Sequence, residues 1–311
     1  MKPEDVFPKG KISSFREEEL KGCLNIKINR ITFNSTFPLN YPKNDRVVVY
    51  HYQPQKNDIK NAVVLLHGWK SICLSFEKLI AFSLAKRGFH AFIFILPFHF
   101  ERTPKNRKSG ELFFTLDREH TSNAYKQAII DLRNLADFIT EKGLRIGIVG
   151  SSLGAVALHT LMGVDNRFSR GISILGGGNI QRIIWEGILG RFVVSHLKKR
   201  GITKKDYLSA LEEFESFLLT IIKTGSIPEP KWHWFLLDPL TYASFNKPRK
   251  VLMINGLYDL IIPKKSVLEL NRALGEPELL WLPAFHLTIY IFLPLIISII
   301  IKYFEKEFHD S

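Results

Sequence analysis

Hydrophobic positions in this chain fall into two alternating patterns. Short unbroken apolar runs cover residues 62–66, 89–96, 145–149, 171–175 and 250–254. Runs of that length predict strands buried on both faces, as in a parallel sheet. Between them, apolar residues recur at helical spacing over about 74–87, 120–142, 153–164 and 264–274. Strand–helix alternation predicts an α/β fold: a mostly parallel central sheet, right-handed crossovers and helices on both faces. Residues 23–33 and 46–53 mix apolar and β-branched positions and predict antiparallel strands at one edge. A last strand starts at Glu278 and runs into the loop holding His286.

One stretch breaks the alternation. From about Asn179 to Phe245 the apolar positions keep a helical period without an intervening strand, so a mostly helical insertion is expected between the sixth and seventh sheet strands. The expected organisation is an N-terminal extension with edge strands (1–60), a first core part (61–178), the insertion (179–245) and a second core part (246–311). Near the end, Leu287 to Ile301 is almost wholly apolar, with Pro294 inside it. It is shorter than the roughly 20 residues needed to cross a bilayer. A core helix is expected there, with a membrane-touching or dimerising surface as the alternative.

Three of the strand ends carry chemistry. Gly150-Ser151-Ser152-Leu153-Gly154 reads G-x-S-x-G, between an apolar strand and a helix-forming segment. Alone, that pentapeptide also describes an ordinary glycine-rich turn. Between strand and helix, it is the sharp turn that holds a serine hydroxyl above a sheet, beside free helix N-terminal N–H groups. A second strand ends in His67-Gly68-Trp69, a third runs through Gly256 to Asp259, and the last reaches His286. Ser152, Asp259 and His286 therefore follow in chain order. Each sits past the carboxyl end of a strand, where open parallel sheets gather ligands.

On these residues the chain resembles the α/β-hydrolase superfamily, from about residue 60 to 305. The resemblance implies an α/β-hydrolase fold; the insertion, which starts from a strand end on the same side as Ser152, is expected to form a helical lid, with burial of the sheet edge as the alternative. The resemblance also implies a triad of Ser152 as nucleophile, Asp259 as acid and His286 as base. The backbone N–H groups of Trp69 and Leu153 would form the oxyanion hole, with Gly150 and Gly154 shaping the nucleophile turn. Residues 96–104 look like the loop after the next strand in some esterase-like branches. The family often has Gly before the final His; here Phe285 stands there. The implied activity is hydrolysis of a small-molecule ester or acyl substrate through an acyl-enzyme. Trp185, Phe192, Trp232 and Trp234 of the insertion are candidates to line a pocket for its apolar group. Peptidase, amidase and thioesterase chemistry use the same triad, and a non-catalytic binding protein or a membrane-surface protein is the alternative from another class.

Composition changes little in this picture. The 311 residues are 46% hydrophobic, enough for one sizeable core. The net charge of +13 invites nucleic acid or an anionic membrane as partner. The basic clusters at Lys198-Lys199-Arg200 with Lys204-Lys205, and from Arg102 to Lys108, lack an interleaved aromatic pattern. Both are expected to be solvated surface, with no nucleic acid partner, and peripheral membrane contact stays an alternative. His67 and His99 lack metal-ligand spacing, so no metal and no cofactor is expected. His67 reads as a hydrogen-bonding residue of its turn. Two cysteines, Cys23 and Cys73, make no disulfide framework. With no apolar signal core at the N-terminus, a cytoplasmic protein is expected.

Overall fold

A computed structural model describes residues 1–23, 26–54, 60–188, 190–199, 201–246 and 249–309, without the side chains of Lys21, Cys23, Phe192 and His309. The pocket candidate Phe192 therefore lies outside the described residues, as does Arg200 of the first basic cluster. The strands are β1 (Arg16–Cys23), β2 (Ile26–Asn34), β3 (Arg46–Gln53), β4 (Asn61–Leu66), β5 (His90–Phe94), β6 (Arg145–Ser151), β7 (Phe168–Ile174), β8 (Lys250–Gly256) and β9 (Leu279–Leu282). The helices are α1 (Pro3–Val6), α2 (Pro42–Asp45), α3 (Ser75–Lys86), α4 (Arg118–Glu141), α5 (Leu153–Val164), α6 (Ile180–Glu186), α7 (Gly190–Lys199), α8 (Lys204–Thr224), α9 (Leu240–Asn246), α10 (Lys264–Ala273) and α11 (Leu293–His309).

The strands form one sheet in the order β1-β2-β3-β5-β4-β6-β7-β8-β9. The first three pair antiparallel, and β5 onward pairs parallel, so the expected mostly parallel sheet with an antiparallel edge is present. Alternate residues divide between its two faces. In β4, Ala62, Val64 and Leu66 join the core under α4 and α5, while Val63 and Leu65 join the core under α3 and α11. Every residue of β4 is buried, which is why its sequence is an unbroken apolar run.

Four differences from expectation have physical reasons. The strand expected over 23–33 begins at Ile26, and a further edge strand, β1, precedes it. Its Arg16-Glu17-Glu18-Glu19 start has no apolar alternation, because an edge strand that faces solvent needs none. With β1 in place, the insertion falls between β7 and β8, the seventh and eighth strands. Arg102 is not solvated surface. It is fully buried and donates from Nε to the Asn44 carbonyl (2.8 Å), and from its guanidinium to the Ile95 carbonyl (3.1 Å) and to Asp131 (2.8 Å). Burial, with a smaller push from the Asp45 carboxylate, raises the Asp131 carboxyl to about 6, against the pull of Arg102 and of the Ser35 hydroxyl donating to it. Finally, α11 is a core helix on one side only. Ile296, Ile300, Phe304 and Phe308 repeat every four residues and are buried against the sheet. Phe304 occupies the place a side chain on Gly147 would need, since a Cβ there would lie 2.3 Å from its ring. The outer side of α11 is apolar only in its first turn, at Pro294 and Leu295, and carries Ser298, Lys302 and Lys306 beyond it.

Candidate active site

The turn at Ser152 is built by close approach. Ser152 has φ 53° and ψ −112°, a left-handed conformation that a non-glycine residue adopts only when its surroundings hold it there. Those surroundings need two glycines. A Cβ on Gly150 would lie 2.2 Å from the Gly154 carbonyl oxygen, and one on Gly154 would lie 2.4 Å from the Leu66 carbonyl oxygen. Only without side chains can α5 start this close to β4 and β6.

The structure brings Ser152, His286 and Asp259 together across long stretches of chain. The Ser152 Oγ and His286 Nε2 are 3.0 Å apart, and His286 Nδ1 is 2.7 Å from Asp259 Oδ2. The other carboxylate oxygen of Asp259 accepts the N–H groups of Ile261 (2.8 Å) and Ile262 (3.0 Å). Asp259 is almost wholly buried and His286 nearly so. An acceptor-only carboxylate there obliges His286 to carry its proton on Nδ1, leaving the Nε2 lone pair for the serine hydroxyl. Phe285 sits in the loop without disturbing this. Its N–H donates to Thr288 Oγ1 (2.8 Å), and its ring turns outward onto Tyr258, 5.7 Å between centroids.

Trp69 and Leu153 flank Ser152. A Cβ built on Gly68 would lie 3.5 Å from the Ser152 Cβ, which puts the following peptide beside the hydroxyl. Neither the Trp69 nor the Leu153 main-chain N–H has an acceptor within the described residues. Two unpaired donors beside one hydroxyl make a place for negative charge.

The loop carrying Trp69 is held by two buried histidines. His67 donates from Nδ1 to the Gly68 carbonyl (2.8 Å) and accepts the Leu96 N–H at Nε2 (3.1 Å). His99 donates to the Pro97 carbonyl (2.8 Å) and accepts the Lys70 N–H (3.2 Å). Desolvation lowers His67 to about 3 and His99 to about 4, so both are neutral and act as two-sided hydrogen-bond pins. The indole N–H of Trp69 fixes the same loop by donating to the Gly110 carbonyl (2.8 Å). Sequence reasoning found His67 but not the role of His99, because the bond to Lys70 joins two loops with no shared local pattern. It also missed Tyr290, whose ring packs edge-on against Phe76 at the start of α3, 5.0 Å between centroids.

The aromatic residues of the insertion are not brought to Ser152 by any hydrogen bond or ring contact among the described residues. Trp185 stacks on Tyr207 at 4.8 Å and lines a groove of about 650 Å³ with Arg191, Val194 and Lys198. Trp232 donates its indole N–H to Glu213 (2.7 Å). Trp234 packs between Phe214 (5.0 Å) and Phe235 (4.5 Å), in the core under α4 and α5. These rings serve the packing of α8 and its neighbours on one another. Among the described residues no cluster of His, Cys, Asp and Glu is suited to hold a metal ion.

No family model and no curated protein matches the sequence. Solved structures do match its shape. An acetyl xylan esterase from Paenibacillus sp. R4 superposes with a TM-score of 0.65 at 15% identity, covering 97% of this chain and 92% of its own. A cold-adapted esterase from an Arctic intertidal metagenomic library gives 0.61 at 15% identity, covering 93% and 99%. The Pyrococcus furiosus esterase Pf2001 gives 0.53 at 16% identity, covering 98% and 96%. At such identities the likeness concerns the fold. The chain has the α/β-hydrolase fold that these esterases share.

Proposed function

We propose that the chain is a serine carboxylesterase with Ser152, His286 and Asp259 as its triad. One observation carries this reading: the Asp259–His286–Ser152 hydrogen-bond chain ends beside two unpaired backbone donors. A serine hydroxyl is a poor nucleophile at neutral pH. His286 Nε2, already 3.0 Å away, takes its proton as Oγ attacks the ester carbonyl. Asp259 holds the imidazole tautomer and stabilises the imidazolium that results. The tetrahedral oxyanion accepts the N–H groups of Leu153 and Trp69, each worth about 3 kcal/mol in the transition state. His286 then returns the proton to the departing alcohol. Water, deprotonated by the same imidazole, releases the acid from the acyl-enzyme. Exposed apolar residues around the loop of His286, such as Phe285 and Leu287, favour substrates with an apolar acyl or alcohol group.

Labelling with a fluorophosphonate, followed by peptide mass spectrometry, tests the proposal. The expected result is phosphonylation of Ser152 in the native protein, lost in His286→Ala, together with hydrolysis of p-nitrophenyl esters. A folded protein that takes no label, or a Ser152→Ala variant that keeps its ester turnover, overturns it.

A further inference from the structure

Large apolar side chains are exposed on the same edge of the sheet as Ser152. Ile72, after β4, is 95% exposed; Leu287 and Ile291, after β9, are 73% and 75% exposed. Leu260 and Phe285 add to them from the loops after β8 and β9. Two ring contacts link these loops: Phe285 packs on Tyr258, and Tyr290 packs edge-on against the buried Phe76 at the start of α3, four residues after Ile72 (centroids 5.7 and 5.0 Å). Scattered single exposures need no explanation, but a joined patch around a reaction site does.

Three lysines flank this patch, and the nearest solvent-accessible carboxylates, Glu111 and Glu186, are paired with Arg107 and Arg182. Lys70, Lys264 and Lys265 are exposed and make no salt bridge among the described residues; Lys70 and Lys264 lie over the rings of Trp69 and Trp281, 4.5 and 5.4 Å from their centroids. Residues 67–74 and 283–292 contain no Asp or Glu, and the carboxylate of the loop after β8, Asp259, is buried on His286. The apolar face extends onto the first turn of α11 at Pro294 and Leu295, beyond which the exposed positions of the helix are Ser298, Lys302 and Lys306. An 18-residue window of Thr288–Phe308 has a mean hydropathy of 1.8, and 22% of that window is buried. The segment is long enough to cross a bilayer, yet its Ile296, Ile300, Phe304 and Phe308 row covers one face of the sheet. Leaving the sheet would strip that core, so the helix stays and presents the outer side of its first turn. An apolar surface rimmed by lysines, whose stems can follow the apolar region while their charges reach headgroups, is the signature of a membrane interface.

We propose that this face docks onto an anionic phospholipid surface. Ile72, Leu287 and Ile291 enter the acyl boundary, and Lys70, Lys264 and Lys265 lie among the headgroup phosphates. Ser152 then faces lipid-borne esters; this last clause rests on the esterase reading, the docking itself does not.

Co-sedimentation tests it, using the Ser152→Ala protein so that vesicles stay intact. Vesicles of equal parts phosphatidylcholine and phosphatidylglycerol are expected to carry the protein down, with binding weakened by salt and by omitting phosphatidylglycerol. Ile72→Asp with Ile291→Asp should lower the partition coefficient more than tenfold. Lys264→Gln with Lys265→Gln should lower it by roughly an order of magnitude. Both pairs should keep the wild-type rate on a soluble short-chain ester when made in the active protein. Failure to bind the mixed vesicles overturns the proposal, as does binding that the Ile72/Ile291 pair leaves unchanged. A dimer that this pair dissociates, in a protein that ignores vesicles, would assign the face to a second copy instead. Vesicle binding without fluorophosphonate labelling would leave docking standing and remove the esterase reading; labelling without vesicle binding would do the reverse.

Discussion

Replacing Asp259 by Asn tests whether the proposed triad works through its tautomer. The two carboxylate oxygens have separate tasks: one accepts two backbone N–H groups, from Ile261 and Ile262, and the other accepts His286 Nδ1–H. Asparagine has one oxygen and one NH2. Turning the NH2 toward Ile261 and Ile262 would set donor against donor and forfeit two hydrogen bonds, each worth about 1 kcal/mol net and more when buried. The oxygen therefore stays on the backbone and the NH2 faces His286. Nδ1 must then accept, the ring proton moves to Nε2, and Nε2 no longer takes the proton of Ser152. The expected loss in kcat is about 10⁴-fold, or about 5.5 kcal/mol of transition-state stabilisation. The fold should persist, because both backbone bonds survive. Initial rates on p-nitrophenyl butyrate, paired with a thermal melt, check both halves. A variant within tenfold of wild-type kcat, melting normally, would refute the role given to Asp259.

Two further predictions concern the scaffold. Gly154→Ala should cost about 3 kcal/mol or more, because its Cβ would lie 2.4 Å from the Leu66 carbonyl oxygen and backbone must move; denaturant unfolding at the wild-type midpoint would contradict the close-approach account. Glu77 is buried in α3 and desolvation pushes its carboxyl from 4.5 up to about 7. The folded state thus holds this proton more tightly than the unfolded state, so stability is full below pH 4.5 and falls as pH rises toward 7. Glu77→Gln should match wild type in acid and exceed it by up to about 3 kcal/mol at pH 8; parallel stability–pH curves would show that Glu77 titrates normally.

What the sequence disclosed, and what it hid, divides by the range of the interaction responsible. The strand at 145–149, the helix at 153–164 and the glycines between them are local features, and they appear in the structure nearly to the residue. The three site residues were legible because each follows a strand whose apolar run is itself legible. Hidden were contacts that join distant segments: Arg102 with Asp131, His99 with Lys70, Tyr290 with Phe76. The insertion shows the limit most clearly. Its helical period was readable, but an apolar face does not say which surface it will cover. Phe214, Phe217 and Phe235 chose the core beside α4 and α5. Trp234, held between two of those rings, should accordingly matter for stability and not for substrate. Trp234→Ala is expected to cost about 2–3 kcal/mol while leaving KM for p-nitrophenyl esters within roughly twofold. A KM raised tenfold at unchanged stability would instead make Trp234 a pocket wall, and would restore to the insertion the covering role that its sequence suggested.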